Sequence, residues 1–322
     1  MKITRLALLP MLGLGVLCPE ASAETWPSKP IRAIVPLAAG STTDIIPRIV
    51  FEELSRRIRQ PIVVENQAGA GATIGTAAVA KAEPDGYTIL ATGSGHTIAP
   101  ALRPNLGYSP SRDFAAVIPF GISPNVLVVP AAKDWKTAGD LAAAAKKNPG
   151  ALTFSSVGAG TVTHLSAERF RRSAGFEAVH VPFKGGGEAI TEVIAGRVDF
   201  FFGPVGLALP HIKGGKLLAL AVNGMQRSAA LPTVPTTSEA GYANAELPIW
   251  FGLFVPAKTP REIVEKLHRE TLQALQAPNV RAKLAGMGVD PMILTPREFD
   301  ALVEKEIAVN AELVKSAGVK AH

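Results

Sequence analysis

Short runs of apolar residues alternate with longer amphipathic stretches from residue 30 onward. The run IRAIVPL at 31–37 fits a buried strand, and the apolar residues between Thr43 and Ile58 recur at spacings of three and four, as on one face of a helix. A second apolar run, PIVVE at 61–65, follows that helix. Because strands that alternate with helices form sheets of mostly parallel strands, the pattern predicts an α/β fold with helices flanking each sheet.

The same alternation begins again at NVLVVP, residues 125–130, and continues to KLLALAV, residues 216–222. IWFGLFVP at 249–256 fits a further buried strand. Two amphipathic helices follow, at about 260–276 and 296–316. The chain thus carries two series of strands and helices, and it returns to the first series near its end.

This order predicts two lobes. Residues 24–124 and 250–322 form the first lobe, and residues 125–249 form the second. The chain crosses between them near residues 124 and 249, and no low-complexity linker separates them. Two crossings without a flexible linker are typical of a hinge.

Residues 1–23 have the three regions of a secretory signal peptide. Lys2 and Arg5 supply the charged start, an apolar stretch covers 6–17, and Ala21-Ser22-Ala23 has the small-x-small pattern that a signal peptidase accepts. The apolar stretch is too short to span a bilayer. We therefore expect export to the periplasm and removal of this leader.

The sole cysteine, Cys18, lies in the leader. A lipid-attachment site favours a small residue before the cysteine, and this chain has Leu17 there. Cleavage after Ala23 is therefore the favoured interpretation, and lipidation of Cys18 is the open alternative. Such cleavage leaves the mature chain without a disulfide.

Composition narrows the classes of function. Hydrophobic residues make up 47% of the 322-residue chain, which is enough for two cores. Removing the leader's two basic residues and one acidic residue changes the formal net charge from +6 to +5, and a basic exported protein attracts anions. Because Lys and Arg are scattered and aromatic residues reach only 6%, no nucleic-acid site is predicted.

Three loops rich in Gly, Ser and Thr lie where a strand gives way to a helix, at 38–44, 69–73 and 155–164. The first N–H groups of a helix lack intrahelical partners and carry partial positive charge, so small residues let a carboxylate or phosphate approach them. These loops are the candidate anion sites. The alternative is that each loop only caps a helix and turns the chain.

Enzyme motifs fit poorly. GAGATIG at 69–75 resembles a dinucleotide fingerprint, but ENQA separates it from its strand. Ser94 lies in TGSGH, which lacks the first glycine of a nucleophile elbow. Histidines at 96, 164, 180, 211 and 268 lack the close spacing of metal ligands. An enzyme of unrecognised type is therefore the least favoured alternative, and neither a cofactor nor a metal is predicted.

Individual side chains in these loops have two interpretations. Asp44 either compensates the dipole at a helix start or bonds the ligand through its oxygens. His164 either bonds local backbone or contacts a ligand. His180, in an apparent strand, is expected to be structural.

Segments along essentially the entire mature chain resemble those of one family. They are WPSKPIRAIVP, AAGSTTD, PIVVENQAGAGATIG, KAEPDGYTIL, SVGAGTVTHL, HVPFKGGGEAI, VDFFFG, PHIKGGKLLALAV, LPTVPTTSEAG and WFGLFVPAKTP. The sequence is similar to the Bug family, also called the TctC type, the extracytoplasmic receptors of tripartite tricarboxylate transporters. The resemblance implies a two-lobed periplasmic-binding-protein fold, type II-like, whose lobes close on a carboxylate held by backbone and hydroxyl groups.

The same resemblance implies ligand contacts in both lobes and beside the cleft. They are Gly40, Ser41, Thr42, Thr43, Asp44, Ser94, Ala159, Gly160, Thr161 and His164. The family often has Pro-Pro-Gly-Gly in the first loop, where this chain has Ala38-Ala39-Gly40-Ser41. Many members carry an acidic residue and an amide where this chain has Gly203 and Pro204, a difference that favours a plain or aromatic carboxylate over an amino acid.

By this resemblance the chain is a monomeric periplasmic receptor that captures a small di-, tri- or aromatic carboxylate. It would deliver the ligand to the membrane permease subunits of a tripartite transporter without spanning the membrane itself. The alternative function is to sense the ligand as the partner of a membrane sensor kinase. The same residues would serve both functions, so the sequence leaves this choice, and the identity of the ligand, open.

Overall fold

The computed structural model describes residues 26–103 and 105–316. The predicted signal peptide and Cys18 lie outside the described residues, so that interpretation stays a prediction. Within the described residues the chain forms two five-stranded sheets with helices packed against them.

The first sheet contains β1 Ile31–Val35, β2 Ile62–Asn66, β3 Thr88–Gly93, β4 Phe114–Ser123 and β10 Ile249–Pro256. Its strand order is β2-β1-β3-β10-β4. β1 pairs in parallel with β2 and β3, whereas β10 runs antiparallel to β3 and β4. Four of the five strands therefore run in one direction, and β10 is the reversed strand.

The second sheet contains β5 Asn125–Pro130, β6 Thr153–Ser156, β7 Val179–Pro182, β8 Phe200–Pro204 and β9 Leu217–Val222. Its order is β7-β6-β8-β5-β9, with β6 parallel to β7 and β8, and β5 antiparallel to β8 and β9. The reversed strand again occupies the fourth place. The predicted α/β fold with mostly parallel sheets is confirmed.

Ten helices are present in the described part of the chain: α1 Thr42–Ile58, α2 Thr73–Ala80, α3 Gly95–Leu102, α4 Ala138–Lys147, α5 Val162–Ala174, α6 Gly186–Ile194, α7 Val205–Lys213, α8 Arg261–Gln276, α9 Pro278–Gly286 and α10 Pro296–Ser316. The pattern of apolar residues did not predict α3, α7, α9 or the strand β4.

Successive residues of β8 point to opposite faces of the second sheet. Phe200 and Phe202 pack into a core with Phe170 of α5, whereas Phe201 packs into the core that contains Ile190 of α6. All three phenylalanines are fully buried. The VDFFFG segment therefore anchors helices on both faces of its sheet.

A buried polar network joins the two points where the chain passes between the sheets. The side-chain oxygen of Asn223, which follows β9, accepts a bond of 2.7 Å from the N–H of Asn125. Its Nδ2 donates to the Ser166 hydroxyl and to the carbonyl of Leu247, each at 2.8 Å. Asn125, Ser166 and Asn223 are fully buried, so these bonds replace those that water would supply. The predicted lobe boundaries stay a prediction, and this network lies within residues 125–249, beside both predicted crossings.

A second buried network ties α10 to the first lobe. Glu306 accepts bonds from the indole N–H of Trp250, at 2.8 Å, and from the Thr97 hydroxyl, at 3.0 Å. That hydroxyl has one hydrogen and also lies 2.8 Å from the carbonyl oxygen of Ser94. When the hydrogen goes to Ser94, a protonated Glu306 can donate to Thr97 instead. In agreement, burial raises the pKa of Glu306, and the bonds from Trp250 and Thr97 oppose the rise.

This raised pKa makes stability depend on pH. Glu306 binds its proton more tightly in the folded chain, so its stabilising contribution is complete below the ordinary pKa of 4.5 and is lost as pH rises through the folded value. We predict that Glu306→Gln, which mimics the neutral acid, shows a smaller fall in the free energy of unfolding between pH 4 and pH 8 than wild type. Urea denaturation at both pH values measures this, with the exposed Glu312→Gln as control. Equal falls in wild type and Glu306→Gln would contradict it.

Candidate functional site

The Gly/Ser/Thr-rich loops of each lobe lie at one edge of its sheet. Because β1, β2 and β3 are parallel neighbours, the loop 36–41, the loop 67–72 and Ser94 all follow the carboxyl ends of these strands. In the second sheet, loop 157–161 occupies the corresponding position after β6. Ligands of open α/β sheets bind at such edges.

The two edges meet at the last turn of α3. Gly160 is buried and has a φ of +74°, and a methyl group built on its Cα would lie 2.6 Å from Cδ1 of Leu102. A larger residue would push this loop away from α3. Beside this contact, Ile98 of α3 shares an apolar cluster with Val162 and Leu165 of α5. The loops that carry the candidate ligand contacts therefore converge from both lobes.

Asp44 holds the first loop from behind. Its carboxylate accepts the N–H of Gly40 at 2.8 Å, Nε of Arg48 at 2.8 Å and Nδ2 of Asn66 at 2.9 Å, and the residue is only 3% exposed. Burial favours the neutral acid, but these bonds outweigh it, so the pKa of Asp44 lies below its ordinary value. With both oxygens engaged, Asp44 suits a positioning role more than direct ligand contact.

Unlike the Asp44 carboxylate, the hydroxyls of Ser41 and Ser94 have no hydrogen-bond partner within the described part of the chain. Ser41 is the N-cap of α1 and Ser94 the N-cap of α3, yet neither side chain caps its helix. Both oxygens are buried and have no hydrogen-bond partner among the described residues. Leaving a buried hydroxyl unpaired costs about 1–3 kcal/mol. Two such groups at adjacent helix N-termini are an unsatisfied set of donors.

Thr42 and Thr43 provide the first backbone N–H groups of α1, which have no intrahelical partner. Thr42 is partly exposed and Thr43 is nearly buried. In the second lobe, Ala159 is exposed at the tip of its loop. Of these three residues, Thr42 and Ala159 are open to solvent, whereas Thr43 is buried.

Thr161, the N-cap of α5, uses its polar groups within its own loop. Its hydroxyl donates to the carbonyl of Gly158 at 2.7 Å and accepts the N–H of His164 at 3.5 Å. Its own N–H points to the same Gly158 carbonyl, at 3.3 Å. The side chain of Thr161 therefore shapes the loop, while the helix N-terminus behind it stays positive.

His164 is also engaged locally. Its Nδ1 accepts the N–H of Gly160 at 2.9 Å, which puts the proton of the neutral ring on Nε2, 4.0 Å from Glu168. Burial, followed by the charge of Arg171, lowers the pKa of His164 to about 4. The neutral imidazole thus fixes Gly160 in place, which agrees with the interpretation that His164 bonds local backbone.

His180 supports the same loop from the neighbouring strand. Its ring stacks on that of His164 with centroids 3.9 Å apart, and its Nε2 lies 2.6 Å from the hydroxyl of Ser156. Burial, followed by the charge of His164, lowers the pKa of His180 to about 4. Asn66, Ser156 and Leu102 also shape the site but were not singled out from the sequence. The position of Asn66 and Ser156 at the ends of parallel strands was the available signal.

Three further features of the described residues concern metal ligands, apolar helices and the GAGATIG segment. The described residues contain no group of three or more His, Cys, Asp or Glu that could hold a metal ion. None of the helices described is both long enough and apolar enough to cross a bilayer. The GAGATIG segment begins three residues after β2 and forms a 3-10 turn at Ala70–Ala72, which is not the direct strand-to-helix turn of a dinucleotide site.

Comparison with known proteins assigns the family. The sequence model described as "Tripartite tricarboxylate transporter family receptor" matches residues 46–319. The chain belongs to this family. The Bordetella pertussis protein BugT is 35% identical over 327 residues, covering 99% of each chain, and the predicted membership of the Bug, or TctC, family is confirmed.

Solved structures of similar sequence have the same fold. A periplasmic transporter has a TM-score of 0.82 and 38% identity, over 92% of this chain and 100% of that one. An R. palustris protein solved with adipate has a TM-score of 0.82 and 31% identity, over 92% and 99% of the two chains. MatC from Rhodopseudomonas palustris, solved with malate, has a TM-score of 0.78 and 31% identity, over 90% and 100%. The two-lobed fold is that of these periplasmic proteins.

We predict that Asp44→Asn weakens carboxylate binding at least fivefold and lowers the free energy of unfolding by about 1–3 kcal/mol. The asparagine side chain keeps one accepting oxygen, so its NH2 group would face either the N–H of Gly40 or the donors of Arg48 and Asn66, and the loss of those bonds would loosen the first loop. Calorimetry with the acid that most stabilises wild type measures the first effect, and urea denaturation the second.

Glu65→Gln is the matched control, because it removes a carboxylate from β2, the strand next to β1. Glu65 forms a half-exposed surface ion pair with Arg32, with 2.8 Å between the Arg32 Nε and a Glu65 carboxylate oxygen. Both quantities should stay near wild type in this control. Full affinity in a destabilised Asp44→Asn would show that binding does not need this loop geometry.

Proposed function

We propose that this chain is a periplasmic receptor that captures a small organic carboxylate for a tripartite tricarboxylate-type transporter and leaves the ligand unchanged. The observation that carries the proposal is the pair of buried, unpartnered hydroxyls of Ser41 and Ser94 at neighbouring helix N-termini. A carboxylate accepts hydrogen bonds from such donors and is stabilised by the helix dipoles.

The ten residues carried over from the family divide into two roles in this proposal. The direct donors are the hydroxyls of Ser41 and Ser94 and the backbone N–H groups of Thr42, Thr43 and Ala159. The positioning residues, which fix the loops, are Gly40, Asp44, Gly160, Thr161 and His164. Because Ser41 Oγ and Ser94 Oγ lie below the surface in this arrangement, the loops or lobes must separate to admit the ligand.

The second lobe supports a ligand without an ammonium group. The end of β8 carries Gly203 and Pro204 and the start of α7 carries Val205, none of which offers a polar side chain. Gly186 at the start of α6 lies against Leu207 of α7, since a methyl group built on it would be 2.7 Å from Cδ2 of Leu207. This apolar wall, together with adipate and malate in two relatives, supports a carboxylate over an amino acid.

The delivery of the ligand to permease subunits is proposed from the family alone. A partner of a membrane sensor kinase would use the same ligand site, so it stays the second candidate. The periplasmic location of this chain and removal of residues 1–23 are likewise proposals, supported by the family and by the three-part leader.

We predict that Thr161→Asp weakens binding at least tenfold, or about 1.4 kcal/mol, because it puts a negative charge at the N-terminus of α5, facing the ligand carboxylate. Aspartate is itself a good N-cap, so the helix should persist. Calorimetry should use the best ligand from a thermal-shift screen of mono-, di-, tri- and aromatic carboxylates.

Two variants control for this substitution. Thr161→Asn has the same shape without the charge and should bind at least fivefold better than Thr161→Asp. Thr137→Asp makes the same change at the N-cap of α4, which follows the reversed strand β5 and so lies at the opposite edge of the sheet. It should bind like wild type. If Thr161→Asp binds the ligand as tightly as wild type, the carboxylate does not bind at this helix N-terminus.

We also predict that the mature protein is a monomer whose radius of gyration falls when the ligand saturates it. Two lobes joined by the crossings near residues 124 and 249 can close only around a ligand that bridges them. Small-angle scattering with and without the best ligand measures the change. An unchanged radius at demonstrated saturation would contradict the closure of the lobes.

A further inference from the structure

Arg103 lies directly after α3 and reaches the loop that follows β2. A methyl group built on Gly71 would be 2.7 Å from Nη2 and 3.1 Å from Nη1 of Arg103, so the guanidinium rests on the backbone of this glycine. Gly71 has a φ of +63°, a conformation that other residues rarely adopt. The loop at 69–73 is thus shaped to accept the arginine head group against its backbone.

This guanidinium has no anionic partner in residues 26–103 and 105–316. It is half-buried, and none of the described carboxylates forms an ion pair or hydrogen bond with it. Its charge acts on Tyr108: burial raises the pKa of this phenol, and the Thr76 bond and the Arg103 charge oppose the rise. Because arginines are seldom withdrawn from water without a carboxylate or phosphate beside them, the site lacks an anion.

The position of Arg103 connects it to the proposed ligand site. The residue before it, Leu102, is the one that packs on Gly160 of the second lobe. The loop that carries Gly71 follows β2, and β2 is the parallel neighbour of β1, so this loop adjoins the loop that carries Ser41. Neighbouring strands are about 4.8 Å apart. A ligand at the N-terminus of α1 therefore has the Arg103 head group within the reach of a short carbon chain.

We propose that Arg103 forms a second anion subsite, which binds the distal carboxylate of the ligand and makes the receptor selective for dicarboxylates. This inference rests on the proposed function, because the first carboxylate is assigned to the N-termini of α1 and α3. The planar guanidinium can bind the second carboxylate through two parallel hydrogen bonds. Closure of Leu102 against Gly160 would reduce the access of water to this pair.

The test compares dicarboxylates of four to eight carbons with monocarboxylates of the same length, for example adipate with hexanoate and malate with 2-hydroxybutanoate. Calorimetry on wild type should give tighter binding of the diacid in the best pair. In Arg103→Gln the affinity for that diacid should fall at least tenfold, while the affinity for its monoacid stays within about twofold. Arg103→Lys, which keeps the charge but not the paired geometry, should lie between the two.

Arg112→Gln is the matched control, because Arg112 is exposed on the same connection and borders the same surface cavity of about 470 Å³ as Arg103. It should bind both acids like wild type. If Arg112→Gln loses as much affinity for the diacid as Arg103→Gln does, the anion binds in that cavity. If Arg103→Gln loses affinity equally for diacid and monoacid, the role of Arg103 is purely structural. Either result overturns the subsite.

Failure of the proposed function gives a different result. If wild type binds neither acid of any pair, the receptor proposal itself is wrong. If wild type binds monoacids at least as tightly as their diacids, the proposal of carboxylate capture is retained and the proposal of an Arg103 subsite is wrong. The melting temperature of each variant, measured without ligand, separates these outcomes from loss of folding; if Arg103→Gln does not fold, the diacid-to-monoacid ratio of Arg103→Lys decides.

Discussion

One topological constraint determines where everything else in this molecule lies: each sheet contains a single reversed strand, and that strand is the first one the chain forms after it crosses between sheets. β4 and β9 run in the direction of the parallel strands, so the chain leaves both sheets at the edge where those strands end. Helices that follow parallel strands begin at this same edge. The predicted crossings and the N-termini of these helices therefore lie at the same edge of each sheet.

The parts of the fold that could be read from the sequence are those in which periodicity is uninterrupted. The strands β1 and β2, the second series and the two long C-terminal helices fall in this class. Three of the four unpredicted elements carry residues that usually interrupt their class: β4 contains Pro119 and Gly121, α3 contains Pro100, and α7 contains Pro210. β4 tolerates them because its pairing with β10 shifts register between Phe251 and Gly252, and such bulges accommodate proline in a sheet.

The candidate site was only partly predictable, for a different reason. Loop composition indicated where helix termini would face a ligand, but the role of each side chain depends on partners distant in sequence. The carboxylate of Asp44 is turned toward the protein interior, where it accepts a hydrogen bond from Asn66, 22 residues away in the sequence. His164 has its acceptor nitrogen occupied by Gly160 and its ring face covered by His180. No spacing rule distinguishes a serine that lacks a partner, such as Ser94, from one that has found one, such as Ser156.

The placement of Asp44 and His164 behind their loops has an evolutionary consequence. These two side chains fix the backbone through bonds that do not involve the ligand, so the shape of each loop does not depend on which ligand is bound. Ala159, by contrast, is exposed at the tip of its loop and takes no part in these bonds. A substitution at Ala159 during evolution would therefore leave intact the bonds that hold both loops.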